Sequence, residues 1–283
     1  MDNNYVTKAT GEREIYSPHK LCGSLVQSGA SQEVAEQICQ DIEKGITPDI
    51  TTQEIWRQAL RDLVQSDLYS VSARYSLRRG MANLGPDGYS FEKYIAVVLD
   101  AYGYKTITNQ TLTGASGVEH EIDVVAEIDD RYIFIEAKYK NEYGLRTHVD
   151  TVMYGWARFL DLSEEYKKKP EFKDKKFEFW LVTNTEFTNS SEKFATYRGM
   201  TLLGWDYPRK HSLEDMIAEK KLWPVSILPS VSDNDRKALI HNGLILAQDL
   251  LPYTADDLEN KFSMSPKRTE KIIAEARALM IEP

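Results

Sequence analysis

The chain has 283 residues, of which 42% are hydrophobic and 28% charged, a composition typical of a globular protein with room for two or three domains. Its net charge of −9, with no basic region, argues against a general polyanion-binding protein, so any contact with DNA must be local. No apolar run of about 18 residues predicts a membrane span, and the N-terminus lacks a signal-peptide pattern. We therefore expect a cytoplasmic protein.

The first predicted segment, residues 1–84, begins with two short strands around a turn at Thr10-Gly11. Helices are predicted at 18–28, 32–44, 52–67 and 70–82. Thr51 and Glu54 have the spacing of a capping box. The two cysteines, Cys22 and Cys39, fall in the first two helices, and we expect them to be small buried apolar side chains rather than a zinc site or a disulfide.

The second segment, residues 85–224, follows a turn-rich stretch at residues 84–88. A helix containing Phe91 and Tyr94 is predicted first. The strands and helices that follow are predicted at 104–112, 119–128, 131–139, 147–167 (helix), 177–184, 189–198 (helix) and 200–205. This order predicts a mixed sheet with helices on both faces.

The third segment, residues 225–283, is predicted to be all helical, with helices at 233–242, 246–251, 255–261 and 266–281. Taken together, the three segments predict a multidomain α/β protein.

The pattern with the clearest chemistry is Asp123 followed by Glu136-Ala137-Lys138. Strand side chains alternate between faces, so Glu136 and Lys138 share one face, and a hairpin can bring Asp123 to it. Two carboxylates suit Mg²⁺ or Mn²⁺, and a lysine beside the ion can orient or deprotonate a water for phosphodiester cleavage. The alternative is a solvated face of ion pairs, although the apolar surroundings favour the metal site.

Residues 85–205 resemble the PD-(D/E)xK restriction-endonuclease superfamily, in particular its Mrr-like branch. The resemblance rests on Phe91-Glu92, residues 114–117, Ile122-Asp123-Val124 and Ile135-Glu136-Ala137-Lys138. It implies that Asp123 and Glu136 bind metal, that Lys138 is the catalytic lysine, and that Glu92 is an additional acid for a second ion or a metal-bound water. The alternative for Glu92 is an ordinary exposed helix residue.

Two features depart from that branch. Glu119-His120-Glu121 precedes Asp123 where relatives often have glycine, which brings His120 or Glu121 near the site, although a histidine there is more often structural. Asp150 and Tyr154 occupy the helical stretch where many relatives place a glutamine.

Residues 5–82 resemble an ATP-cone, a nucleotide-sensing module. The resemblance rests on Val6-Thr7-Lys8, Gly11-Glu12, Ile15-Tyr16, Lys20-Leu21, residues 52–55 and residues 73–75. It implies that Lys8 and Lys20 contact the phosphates of regulatory ATP or dATP, and that the nucleotide changes the size of a homo-oligomer. Ala9 stands where family members commonly have arginine. The alternative is a helical interaction domain without a ligand.

The third segment resembles a degenerate helix-hairpin-helix domain at residues 239–244 and 263–268. Lys267, Arg268 and Lys271 are candidates for contacts with the DNA backbone, and a protein-binding role is equally open. The combined expectation is a magnesium-dependent DNA endonuclease regulated by ATP or dATP, acting in restriction or phage defence. The alternatives are a nucleotide-responsive DNA-binding regulator and a defence-system scaffold.

Overall fold

The computed structural model describes residues 5–8, 11–47, 50–85, 88–141 and 145–281. Thr10, Pro86 and Asp87, which were assigned to predicted turns, lie outside these ranges. The first segment opens with an antiparallel hairpin of β1 (Tyr5–Thr7) and β2 (Arg13–Ile15). Its four helices are α1 (Pro18–Gln27), α2 (Gln32–Lys44), α3 (Thr52–Gln65) and α4 (Tyr69–Ala82).

Local signals account for these helices. Pro18 occupies the first turn of α1, where its missing N–H is no loss. The predicted capping box of α3 is confirmed, because Thr51 Oγ1 accepts from Glu54 N at 3.1 Å and Glu54 Oε2 accepts from Thr51 N at 2.8 Å.

The expectation of two unpaired cysteines was wrong. A disulfide joins Cys22 to Cys39, whose Cα atoms lie 5.9 Å apart. Because α1 packs along α2, the two positions face each other across the helix pair. Their separation of 17 residues in the chain did not reveal this contact.

The central sheet follows α5 (Tyr89–Ala101), and its strands are β3 (Lys105–Thr113), β4 (Glu119–Ile128), β5 (Arg131–Lys138), β7 (Lys176–Thr183) and β9 (Thr201–Leu203). Their order across the sheet is β3-β4-β5-β7-β9. The β3-β4 and β4-β5 pairs are antiparallel, whereas β5-β7 and β7-β9 are parallel. The parallel crossovers contain α6 (Val149–Tyr166) and α7 (Asn189–Arg198). The mixed α/β class is therefore confirmed.

Some elements were not predicted from the sequence. β6 (Arg146–Thr147) and β8 (Glu186–Phe187) form a separate parallel pair, and α8 (Leu213–Glu219) follows the sheet. In the third segment, the predicted helices are present as α9 (Asp233–His241), α10 (Ala255–Phe262) and α11 (Pro266–Ile281), except that the helix predicted at 246–251 is a short 3-10 turn, Ala247–Leu250. A second 3-10 turn, Val225–Ile227, was not predicted. No helix within the described ranges is long and apolar enough to cross a membrane.

Two hydrophobic cores cover the two faces of the sheet. One lies under α6 and α7 and contains Phe134 and Phe159. The other lies under α5 and continues through Leu77 of α4 to Trp223 and Ile272 of the third segment. One buried core therefore links the three segments, and their division into separate domains at residues 84 and 224 stays a prediction.

Candidate active site

Asp123 lies where the β3-β4 ladder is interrupted. Thr108 pairs with Val124 and Gln110 pairs with Ile122, while Asn109, opposite Asp123, has a left-handed backbone with φ of 53°. Ile122 packs into the core under α6 and Val124 into the opposite core, so the usual alternation of faces is broken here. The break lets the Asp123 carboxylate reach β5, where its Oδ2 accepts from Ala137 N at 2.7 Å.

Glu136 and Lys138 share a face of β5, as the alternation predicts. Lys138 Nζ contacts Glu136 Oε1, and Arg158 Nη1 of α6 lies 2.5 Å from Glu136 Oε2. The side chains of Glu136 and Arg158 are 6% and 10% exposed, whereas that of Lys138 is 39% exposed. Each oxygen of a buried carboxylate therefore has a cationic partner, and one of these cations reaches solvent.

Acidic side chains gather around this pair. Burial, followed by the nearby Glu136 carboxylate, raises the pKa of Asp123 to about 6, although the hydrogen bond from Ala137 N opposes the rise. Burial, followed by the carboxylates of Asp123 and Glu136, raises the pKa of Glu92 to about 7. The negative charge of Glu121 raises the pKa of Glu92 further. The predicted residues Asp123, Glu136, Lys138 and Glu92 are thus electrostatically coupled at one end of the sheet.

Sequence reasoning missed Arg158. Asp150 and Tyr154 were considered as site residues on this helix, and Arg158 lies one turn beyond Tyr154 on the same helical face. The Tyr154 ring centroid lies 5.6 Å from Arg158 Cζ. Extending the same i, i+4 pattern by one turn was the signal that could have found it.

Side chains from the end of β7 hold the backbone beside the candidate site. Thr183 Oγ1 donates to the carbonyl of Lys138 at 2.7 Å. Asn184 brackets the backbone of Lys140, accepting from its N–H at 2.8 Å and donating to its carbonyl at 2.7 Å. Thr183 and Asn184 therefore position the segment that carries Lys138.

His120 belongs to a separate cluster that ties the loop before β4 to α6. His120 Nε2 lies 2.7 Å from Asp161 Oδ2, which also accepts from Ser116 Oγ at 2.7 Å. Hydrogen bonding to His120 and Ser116 lowers the pKa of Asp161 to about 2. The Ser116 hydroxyl donates to the Asp161 carboxylate and not to the His120 imidazole. The cluster is therefore a structural link between the loop and the helix, and not an activated serine nucleophile.

The donor chemistry fits a small divalent cation. Within the described ranges no group of three or more His, Cys, Asp or Glu side chains is arranged to hold a metal ion. Mg²⁺, however, commonly uses one or two carboxylates and keeps several waters. Asp123 and Glu136 supply such oxygen ligands, and a bound cation would favour the ionised forms of Asp123 and Glu92, whose pKa values are raised first by burial and then by neighbouring carboxylates.

The structure brings together the two lysines of the ATP-cone resemblance. Lys8 and Lys20 both contact Glu14 Oε2, at 3.2 Å and 3.1 Å, and Lys8 also contacts Glu12 at 3.1 Å. The two ammonium groups lower the pKa of Glu14. Two cations therefore lie side by side on the hairpin and the first turn of α1, with acidic partners already present.

In the third segment, the helix-hairpin-helix resemblance falls on connections between helices. Gly243 follows α9 with φ of 81°, and Ser263 between α10 and α11 has φ of 55°. Arg268 pairs with Asp235 of α9 at 3.2 Å, so one of the three basic candidates for DNA contact already has an acidic partner.

Comparison with known proteins places this mixed α/β protein in a particular family. The family model described as AF1548-like, C-terminal matches residues 223–280. An uncharacterized protein of Archaeoglobus fulgidus is 33% identical over 186 residues, which cover 66% of this chain and 99% of that protein. The chain therefore belongs to the AF1548-like family.

A solved structure extends this similarity to the fold. The crystal structure of AF1548, a protein of unknown function, is 32% identical with a TM-score of 0.56 and covers 68% of this chain and 97% of that one. These relatives carry no stated activity. About a third of the present chain lies outside the match, so it is additional to the matched relatives.

Proposed function

We propose that the protein is a metal-dependent DNA endonuclease. The observation that carries the proposal is the end of the sheet at which Asp123 and Glu136 lie beside the partly exposed Lys138, with Glu92 near enough for their charges to affect its pKa. Buried carboxylates with raised pKa values, as in Asp123 and Glu92, are characteristic of functional sites, because burying charge and gathering like charges both cost stability.

Each residue has a role in this proposal. Asp123 and Glu136 would hold Mg²⁺ or Mn²⁺, and Glu92 would hold a water or a second ion. The ion would supply Lewis-acid polarisation of the phosphate and a more acidic bound water. Lys138, whose ammonium reaches solvent beside Glu136, orients or deprotonates the attacking water. Arg158 positions the Glu136 carboxylate, and the hydrogen bond from Thr183 positions the Lys138 backbone.

We also propose that ATP or dATP regulates this activity through the first segment. Lys8 and Lys20 converge on one carboxylate, Glu14, and a triphosphate can compete for both ammonium groups. The proposal includes a homo-oligomer whose size responds to nucleotide, a DNA substrate, and a cytoplasmic role in restriction or phage defence.

The test is cleavage of plasmid DNA with Mg²⁺ or Mn²⁺, with and without ATP or dATP. Lys138→Ala should abolish cleavage without unfolding the chain. Lys176→Ala is the matched control, because Lys176 is an exposed lysine at the opposite end of the same sheet and pairs with Asp130. Equal cleavage by wild type and Lys138→Ala would reject the mechanism, and cleavage indifferent to nucleotide would reject the regulation.

A second candidate, a DNA-binding regulator that does not cut, is favoured by one observation. Both oxygens of Glu136 already have cationic partners, Lys138 and Arg158. Under this hypothesis Arg158 replaces the metal ion. Mn²⁺ binding, monitored by electron paramagnetic resonance, distinguishes the nuclease from the regulator, because the wild-type protein should bind Mn²⁺ if it is a nuclease. A regulator binds it only after Arg158→Gln frees Glu136.

A further inference from the structure

Two adjoining cavities lie between α3, α4 and the third segment. Leu60, Arg61, Ser76, Ile227, Leu228 and Pro229 line both. The inner one, which we call the apolar chamber, has a volume of about 230 Å³ and is lined mainly by apolar side chains such as Val64, Ala73 and Leu279. Its one carboxylate, Glu275, accepts hydrogen bonds from Ser230 N and Oγ. The outer one, the arginine cavity, has a volume of about 640 Å³. Neither Lys8 nor Lys20 lines them.

Four guanidinium groups line the arginine cavity, those of Arg57, Arg61, Arg79 and Arg236. With its amide oxygen turned toward them, Gln53 accepts from Arg57 Nη2 at 2.7 Å and from Arg79 Nη2 at 3.2 Å. Two positive charges thus share one neutral acceptor. In a protein of net charge −9, these arginines form a local positive patch that an anionic ligand would match.

The other two arginines have one neutral and one acidic partner. Arg61 Nη2 donates to the neutral amide of Gln58 at 2.5 Å. Arg236 Nη1 contacts the exposed Asp233 at 2.9 Å, and its Nε is buried without a hydrogen-bond acceptor among the described residues. Asp233 is the one carboxylate among the described lining residues of this cavity. Guanidinium forks of this kind match the geometry of phosphate oxygens.

Ser76 provides an independent observation at the junction of the two cavities. The residue is 3% exposed, lines both cavities, and its Oγ has no hydrogen-bond partner within the described part of the chain. A buried hydroxyl without a hydrogen-bond partner lowers the stability of the fold unless a ligand supplies the partner. Ser76 is therefore suited to a polar edge of a bound molecule.

We infer that the apolar chamber and the arginine cavity together form a binding site for a nucleoside phosphate. The phosphates contact the arginines, and the flat base enters the apolar chamber with a polar edge at Ser76. A simple acyl chain would leave Ser76 unsatisfied, and an inorganic anion would leave the chamber empty. The site joins the first and third segments, because Ser226 Oγ also donates to the Gly80 carbonyl at 2.8 Å between them.

This inference goes beyond the proposed nuclease and does not depend on it. The test is calorimetric titration of the full chain with ADP and with pyrophosphate, in a Lys8→Ala/Lys20→Ala background that removes the hairpin lysines. Both ligands should still bind, with Kd below about 1 mM. Adding Arg57→Gln and Arg79→Gln should weaken the binding of ADP and of pyrophosphate at least tenfold.

Two further variants separate the contacts. Ser76→Ala should weaken ADP binding several-fold and leave pyrophosphate binding unchanged, because only the base is expected to reach the Ser76 hydroxyl. Lys237→Gln is the matched control for charge, because it removes an exposed cation next to Arg236 that does not line the cavity. It should bind both ligands normally.

Failure to bind either ligand in the lysine-free background would overturn the inference. If the wild type bound ADP and only the lysine substitutions abolished binding, the nucleotide would belong to the hairpin. The proposed regulation would then stand without this second site.

Discussion

The two ends of the central sheet carry the same kinds of charged residues in different arrangements. At one end, Arg131 of β5 donates two hydrogen bonds to Glu178 of β7, at 2.6 Å and 2.7 Å. Lys176 pairs there with Asp130 at 2.6 Å. These cations lower the pKa of Glu178 and of Asp130. At the other end, Asp123 and Glu92 have raised pKa values.

The comparison shows that charge balance and burial, rather than residue type, distinguish a structural ion pair from a candidate site. Where each carboxylate has its own cation near solvent, ionisation is favoured and the pair contributes modestly to stability. Where several carboxylates share a buried location, ionisation is opposed, and a bound cation would offset that cost. The candidate site is therefore the end of the sheet with the unbalanced charge.

The largest expected effect comes from Glu136→Ala. It leaves the Arg158 guanidinium buried without its carboxylate, which should lower the free energy of unfolding by about 3 kcal/mol and abolish cleavage. Glu178→Ala, at the balanced end, should cost about 1 kcal/mol because Arg131 is more exposed. Urea unfolding of both variants measures the difference. Equal losses would mean that the two ends do not differ as described.

A smaller effect, opposite in sign, is expected for Asp123→Asn at high pH. Because burial raises the pKa of Asp123 from 3.8 to about 6, the folded state holds the proton more tightly, and stability falls as pH rises through that window. Asparagine can still accept from Ala137 N without carrying charge. The variant should be more stable than wild type by about 2 kcal/mol at pH 8.

Unfolding free energies measured from pH 4 to pH 8 check this prediction. The two proteins should be similar near pH 4, where Asp123 is protonated, and diverge above it. Parallel curves over the whole range would show that Asp123 carries no unfavourable charge.

The smallest effect is expected for Asp130→Asn at the balanced end. Its cation, Lys176, lowers the pKa of Asp130, so the stabilising contribution is present above pH 3.8 and is lost as pH falls through the lowered pKa. The variant should be slightly less stable than wild type at neutral pH and equal to it in strong acid. The same titration measures it, and a stabilised variant at neutral pH would contradict the assignment.

Much of the candidate site follows from strand alternation. The period of two places Glu136 and Lys138 together on β5, whereas Asp123 reaches β5 through a break in the alternation that the sequence pattern did not predict. Arg158 could not be placed with the same certainty, because a helical face can turn toward the sheet or toward solvent. The structure decides this by packing Gly155 of α6 against the Phe179 ring, where any larger side chain would clash.

By itself, the sequence determined the order and approximate limits of most helices and strands, the mixed α/β class, and the grouping of charge on β5. These depend on periodicity, caps and turns within a few residues. Only the tertiary structure decided that Cys22 meets Cys39, that Arg158 reaches Glu136, and that arginines of α3 and α4 meet Arg236 of α9 across a shared cavity. Such contacts join distant parts of the chain, and they depend on how whole elements pack against one another.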